Sequence, residues 1–315
     1  GAYLYSIGDG SPGGWTPWRK VRTAPDRPSH TQFLYLGDVQ TGLESWGRRF
    51  EEAVREFPSA RFALIAGDLV DRGNERTNWD HFFLRGGGVL SRLPLMPCVG
   101  NHEYLDQGPR LFRTFFDLPR NGPSGTDSDL VYSFEYDDAF FAILDSTMAV
   151  SSDRAAIEQA KWLDRALSKT KANWKFVMFH HPVYASRRER DNRPLREHWV
   201  PIFDQHHVDI VFQGHDHTYI RTHPMRAGLR ADAAGQGTYY VVSVSGDKFY
   251  DQEPRPEFAA ARTHIPTFQV VDIDATAGRL TYRSVVESGE TIDTFQIDKP
   301  VNLGDRIRFV SGSPK

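Results

Sequence analysis

From residue 32 to about residue 216, short apolar runs alternate with amphipathic stretches. The runs read FLYLGD, FALIAGD, LMPCVGN, FFAILDS, WKFVMFH and VDIVFQGH. Each is as short as a buried strand, and several close on a glycine followed by a polar residue. Between them, Leu43–Phe57, Arg154–Leu167 and Leu195–His206 read as amphipathic helices. This alternation predicts an α/β core with mostly parallel central strands. Beyond residue 237 the texture changes to strands without helices, TYYVVSVSG, TFQVVDID and RLTYRSVVE, which predict an antiparallel portion completing a second sheet. Residues 1–27 alternate on a period of two around the turn-rich DGSPGG, the pattern of a β-hairpin, and TAPDRPSH reads as a linker. A lone hairpin is marginal in water, so this one either packs on the main body or ends a larger β-domain.

The polar residues at the carboxyl ends of the runs carry the chemistry. They are Asp38 (GDVQ), Asp68 (GDLVDRG), Asn101 and His102 (GNHE), His180 (FHHP), and His215 and His217 (GHDH). In open α/β sheets ligands bind at that edge. Carboxylate, amide and imidazole together suit Zn, Fe, Mn or Ni rather than Ca. Taken singly, each has a plainer reading: a strand-end Asp caps a turn, an Asn sits in one, a His pair lies on the surface. Five such motifs after five apolar runs point to a shared metal site. They are numerous enough for two metals, with Asp68 placed to bridge them.

Composition narrows the class. The chain has 315 residues, 39% hydrophobic and 25% charged, with a net charge of −3, so it is neither disordered nor globally basic. This speaks against nucleic acid or an anionic membrane as the general partner. Cys98 is the single cysteine, which excludes an intramolecular disulfide and a thiolate metal cluster and reads as a core residue. No apolar run approaches the ~20 residues of a membrane span. GAYLYSIGDG lacks the basic start and apolar stretch of a signal peptide.

The series GD, GD, GNHE, VMFHH, GHDH over residues 32–220 resembles the calcineurin-like metallophosphoesterase superfamily. VMFHHPVY and GHDHTYIR are most similar to its bacterial purple acid phosphatase-like branch. The resemblance implies a four-layer α/β/β/α sandwich over residues 28–300, followed by a tail at 301–315. It also implies that the hairpin at 1–27, with its linker, is the end of a fibronectin-III-like domain. Two divalent or trivalent metals (Fe, Mn or Zn) are expected. Asp38, Asp68 and His217 would hold the first; Asp68, Asn101, His180 and His215 the second. His102 would contact phosphate and protonate the leaving group.

The chain departs from the family pattern twice. Gln40 stands where many members have a histidine that ligates the first metal. Asp71 stands where purple acid phosphatases have the tyrosine that colours Fe(III), so no purple colour is expected. Asp71 either ligates or pairs with Arg72. GDLVDRG and GNHE are also similar to Ser/Thr phosphatase motifs, in which the Arg of DRG grips phosphate. Arg72 inherits that role or is tied to Asp71. His181 and Tyr219 are further candidates for substrate contact, and Arg221 could line the same pocket. His206 and His207 read as structural helix-end residues. SRRERDNR at 186–193 reads as a polar loop near the site.

The activity implied is hydrolysis of phosphate monoesters by in-line attack of a metal-activated hydroxide, on a small-molecule substrate. The alternatives are a phosphodiesterase, a phosphoprotein phosphatase or a binding module with a degraded site. By resemblance the location is periplasmic or secreted. Oligomeric state is not readable from the chain.

Overall fold

The structure is a computed structural model that describes residues 1–25, 29–124 and 129–301. Residues 26–28 of the expected linker and all of the expected tail save Val301 lie outside the described residues. The chain opens with an antiparallel hairpin, β1 (Ala2–Tyr5) and β2 (Arg19–Arg22). Then follow β3 (His30–Leu36), α1 (Leu43–Glu56), β4 (Ala60–Ala66), α2 (Arg76–Leu90), β5 (Leu95–Cys98) and α3 (Arg110–Phe115). A second series comprises β6 (Tyr132–Tyr136), β7 (Ala139–Ile143), α4 (Ser146–Ser151), α5 (Asp153–Lys169) and β8 (Trp174–Met178). It continues with α6 (Arg193–His198), α7 (Val200–His206), β9 (Ile210–Gln213), β10 (Tyr219–Thr222), β11 (Met225–Arg226), β12 (Leu229–Arg230) and β13 (Tyr239–Val242). The chain closes with β14 (Phe258–Arg262), β15 (Thr267–Asp274), β16 (Arg279–Val286) and β17 (Thr291–Asp298).

Two large sheets result. One has six strands in the order β17-β16-β15-β3-β4-β5, the other seven in the order β14-β10-β13-β9-β8-β7-β6. Side chains alternate along β3, so Phe33 and Tyr35 face the other sheet. The Phe33 ring meets Phe141, Phe176 and Phe212 edge-on at 5.3, 5.5 and 6.0 Å. The Tyr35 hydroxyl donates to the Gln213 carbonyl and accepts the Gln213 N–H, which locks the sheets together just below the edge that carries the site. Emptying the Phe33 position would cost about 3–5 kcal/mol, the usual penalty for a vacated aromatic site.

Helices cover both outer faces, giving the four-layer α/β/β/α arrangement. α1 buries Trp46, Phe50 and Ala53, one stripe at helical spacing. α5 starts at Ser152, whose hydroxyl caps the Ala155 N–H, and buries Ala156, Ala160, Leu163 and Leu167 at the same spacing. α2 was not singled out from the sequence, because Gly86, Gly87 and Gly88 lower helix propensity. Packing overrides propensity there: a Cβ on Gly86 would sit 2.7 Å from the Trp46 indole, so the glycine admits α1.

Two expectations change. Leu195–His206 is two short helices that meet at Trp199, with Pro201 in the first turn of α7. Proline lacks the N–H that a continuous helix would need. The first of the three late strand runs, β13, does not join the sheet of the other two; it lies between β9, to which it is parallel, and β10, to which it is antiparallel, whereas β15 pairs antiparallel with β3 and β16 antiparallel with β15. The hairpin touches the body through the Tyr5 hydroxyl on the Ser91 carbonyl and leaves Tyr3, Leu4, Ile7, Trp15 and Trp18 exposed. Cys98 is buried. Among the described residues no helix is long and apolar enough to cross a membrane.

Candidate metal centre

The ligand-type residues come off the ends of β3, β4, β5, β8 and β9, and the chain turns there under strain. Asp38, Asp68, His215 and His217 all adopt positive φ (41°, 51°, 72° and 47°), an uncommon state for residues with a side chain. Each sharp turn swings a side chain over the sheet edge. The loops then hold one another through the carboxylates. His215 N–H donates to Asp38 Oδ1 and Oδ2 at 2.9 and 2.7 Å, and His102 N–H to Asp68 Oδ1 at 2.9 Å. The glycine before Asn101 is needed for this closeness, since a Cβ on Gly100 would lie 2.2 Å from Asp68 Oδ1.

Two donor triads form on this edge. Asp68, His180 and His215 offer atoms within 4.8 Å of one another, and so do Asp38, Asp68 and His217. Asp68 belongs to both. Asn101 Oδ1 joins the first group, 3.1 Å from His180 Nε2 and 2.9 Å from His215 Nδ1. The structure therefore gathers Asp38, Asp68, Asn101, His180, His215 and His217 into two adjoining pockets with one shared carboxylate.

Backbone carbonyls fix the imidazoles. His180 Nδ1 bonds the Ala66 carbonyl at 2.8 Å and His217 Nδ1 the Lys248 carbonyl at 3.0 Å, which turns each Nε2 inward, free to take a cation. Gln40 is buried with its Nε2 3.3 Å from His217 Nε2, while its Oε1 has no hydrogen-bond partner among the described residues. That orphaned carbonyl and the facing lone pairs of the two triads fit cations in both pockets.

Electrostatics agree with this fit. Burial opposes charge here, yet His180 holds the Asp68 carboxyl down to about 2, and Asp68 in turn draws His180 up to about 10. Burial, with His180 beside it, pushes His215 down to about 2; burial also pushes His217 down to about 4 and Asp38 well above the carboxylate range. The neutral imidazoles of His215 and His217 beside the Asp68 carboxylate make a site ready for metal.

His102 stands at the rim with its side chain 17% exposed. Its Nδ1 bonds the Asp71 carbonyl at 2.6 Å, with Asp71 Oδ1 at 3.4 Å, leaving Nε2 as the free nitrogen 4.0 Å from Asp68 Oδ2. Asp71 thus faces His102 and not Arg72. The Arg72 guanidinium is taken by Glu75 at 2.7 Å and by Asp106, on an exposed surface. His181 packs on His215 with ring centroids 4.3 Å apart. Burial pushes its imidazole well down, and its Nδ1 takes the Ser146 hydroxyl at 3.0 Å, so Nε2 carries the proton. Tyr219 turns away from the pocket: it is fully buried and its hydroxyl donates to Asp293 at 2.7 Å. Arg221 pairs with the same Asp293 at 2.6 Å, so both residues join the two sheets. His206 pairs with Asp164 at 2.7 Å at the end of α7.

Sequence reasoning passed over four contributors. Glu103, fully buried, accepts the N–H groups of Asp68, Leu69 and Gly100 at 2.9, 2.8 and 2.7 Å and so ties two ligand loops together. Burial and the Asp68 charge push its carboxyl up to about 7. It stands in the quoted GNHE, so the signal was present. Ser146, just after FFAILD, accepts the His180 and His181 N–H groups at 3.1 and 2.8 Å. Arg190, in the polar loop, holds Asp216 between the two GHDH histidines at 2.7 Å. The segment after β13 covers the first pocket, and only its glycine hinted at a turn.

The sequence profile described as calcineurin-like phosphoesterase matches residues 31–219. Similar proteins include an uncharacterized protein of Mycobacterium tuberculosis, 28% identical over 249 residues that cover 67% of this chain and 47% of that one. Purple acid phosphatase 18 of Arabidopsis thaliana is 30% identical over 266 residues, 79% of this chain and 58% of that one. The chain spans about half the length of these curated relatives. Among solved structures, a purple acid phosphatase from yellow lupin (Lupinus luteus) seeds aligns with a TM-score of 0.80 at 19% identity, covering 94% of this chain and 59% of that one. At that identity the likeness is one of fold.

Proposed function

The chain belongs to the calcineurin-like phosphoesterase family, whose members hydrolyse phosphate esters at a dinuclear metal centre, and from that premise we propose that it is a phosphomonoesterase acting on small phosphate esters. The observation that carries the proposal is Asp68, shared by two donor triads, with His102 beside it. Asp38, Asp68 and His217, with the Gln40 carbonyl, would hold one cation; Asp68, Asn101, His180 and His215 the other. Such a pair, drawn from Fe, Mn or Zn, supplies water acidified toward neutrality and charge neutralisation at the phosphoryl oxygens.

The remaining steps belong to the chain's own residues. The Asp71 carbonyl accepts from His102 Nδ1–H and so turns Nε2 toward the site; as imidazolium, His102 would pass the Nε2 proton to the leaving alkoxide. His181, neutral and oriented by Ser146, offers an N–H to a phosphoryl oxygen. Glu103 keeps the Asp68 and Asn101 loops in register. Asp71 in place of a tyrosine removes the source of purple colour. We further place the protein in the periplasm or outside the cell and read the hairpin as the end of a fibronectin-III-like domain; fractionation of the native host tests the first.

The experiment is metal analysis of the purified chain, paired with hydrolysis of p-nitrophenyl phosphate and bis(p-nitrophenyl) phosphate after loading with Mn, Zn or Fe. Two metals per chain, and metal-dependent turnover favouring the monoester, are expected. Faster diester hydrolysis would make it a phosphodiesterase. Full loading without turnover of either ester would end the enzymatic reading.

A further inference from the structure

The segment after β13 runs over the first metal pocket, and the chemistry above leaves its side chains unused. Ser245, Gly246 and Asp247 donate their N–H groups to the carbonyls of Gly37, Asp38 and Thr41 at 2.7, 2.9 and 2.8 Å, and Tyr250 N–H reaches the His217 carbonyl at 3.1 Å. With the Lys248 carbonyl on His217 Nδ1 at 3.0 Å, the segment is fastened to a ligand histidine from two sides. The Tyr250 ring lies 4.7 Å from the His217 ring. Two cations rest on that tyrosine: Arg190 at 5.0 Å and Lys248 Nζ at 5.4 Å from its centroid.

The two cations differ in one respect. Arg190 is neutralised by Asp216 at 2.7 Å. Lys248 is half-buried, and among the described residues no carboxylate lies within ion-pair distance of it. Its neighbour Asp247 turns away to Arg49 at 2.6 Å. A half-buried ammonium without a carboxylate partner among the described residues is open to an incoming anion. A cation–π contact restrains it beside the pocket but does not neutralise it.

We propose that Lys248, held on Tyr250, is an anion subsite that receives the second negative charge of a phosphomonoester, so that this centre prefers dianionic monoesters to monoanionic diesters. The inference rests on the phosphoesterase reading and adds its substrate class. A phosphomonoester carries close to two charges at neutral pH and a diester carries one. One added charge facing a half-exposed ammonium changes affinity by about tenfold.

The test compares kcat/KM for p-nitrophenyl phosphate and bis(p-nitrophenyl) phosphate in the fully metallated wild-type chain and in Lys248→Gln, Lys248→Glu and Lys248→Arg. Metal content and melting temperature are measured alongside. The monoester-to-diester ratio should fall about tenfold in Lys248→Gln and further in Lys248→Glu, while Lys248→Arg keeps it. An unmoved ratio in the Gln and Glu variants overturns the proposal, and so does an Arg variant that loses as much as Gln. Calorimetry with inorganic phosphate and dimethyl phosphate makes the same comparison by binding alone. A wild-type chain that turns over neither ester therefore ends the phosphoesterase reading, while the binding ratio still decides Lys248.

Discussion

Arg190→Ala measures how far the GHDH loop depends on a clamp outside it. Asp216 is fully buried, and its carboxylate has two partners, the Ser186 N–H and Arg190 Nη1, the latter at 2.7 Å. The same guanidinium nitrogen reaches the His215 carbonyl at 3.3 Å. Removing one partner of a wholly buried pair costs about 3–5 kcal/mol, because a charge is left uncompensated. The Arg190 side chain is 30% exposed, so water enters where the guanidinium stood. Screening then brings the expected loss to about 2 kcal/mol. Asp216→Asn removes the charge but keeps an acceptor for Ser186, so the double variant should recover much of the loss, with a coupling of about 1.5 kcal/mol. The assay is urea unfolding of the chelated chain at constant m-value. Because Asp216 sits between two ligand histidines, Arg190→Ala should also weaken metal binding by about 10- to 100-fold, the usual effect of losing a group that orients a ligand. A loss below about 0.5 kcal/mol with unchanged metal affinity would refute the argument and assign the loop's rigidity to its backbone bonds alone.

His102→Ala should keep both metals and lose about 10²- to 10⁴-fold in turnover of alkyl phosphates, with a smaller loss on nitrophenyl esters whose leaving group needs no proton; equal losses would count against the acid role. Asp68→Ala should abolish metal binding, because one carboxylate serves both triads; unchanged metal content by elemental analysis would remove the bridging assignment. Glu103→Gln puts an amide NH2 against buried N–H donors and should destabilise the chelated chain by about 2 kcal/mol in urea unfolding. The chelated chain should also lose stability as pH falls below 6.5, where the unfolded His217 takes up a proton that the folded one, down at about 4, refuses. That single histidine accounts for about 3 kcal/mol by pH 4, while Glu103 and Asp38, shifted upward, act in the opposite sense, so the check is the difference between the pH profiles of the chelated wild type and His217→Asn: identical profiles between pH 6.5 and 4 would contradict its burial.

Much of the fold was legible because its signals are local. The runs ending at Asp38, Asp68, His180 and His215 show strand length and apolar content within a few residues, and alternation with helices implies parallel strands that share one functional edge. The polar residues that follow these runs lie together on that edge. Tyr219 and Arg72 show where such reading stops. Tyr219 is only two residues from His217, yet the alternation of β10 carries it between the sheets to Asp293, which lies in β17. Arg72 finds its partner in Asp106, not in the adjacent Asp71, because the GNHE loop folds back beside it.

The sequence by itself determined the strand order along the chain, the residue types at the strand ends and hence the class of chemistry, since each depends on periodicity or composition over a few neighbours. Only the tertiary structure decided that Asp68 faces two triads, that Glu103 and Arg190 hold the loops around them, and that Lys248 stands beside His217 without a carboxylate partner among the described residues. Those are contacts between segments far apart in the chain. Their distances are set by how two sheets pack on the aromatic layer around Phe33, and no local pattern encodes that packing.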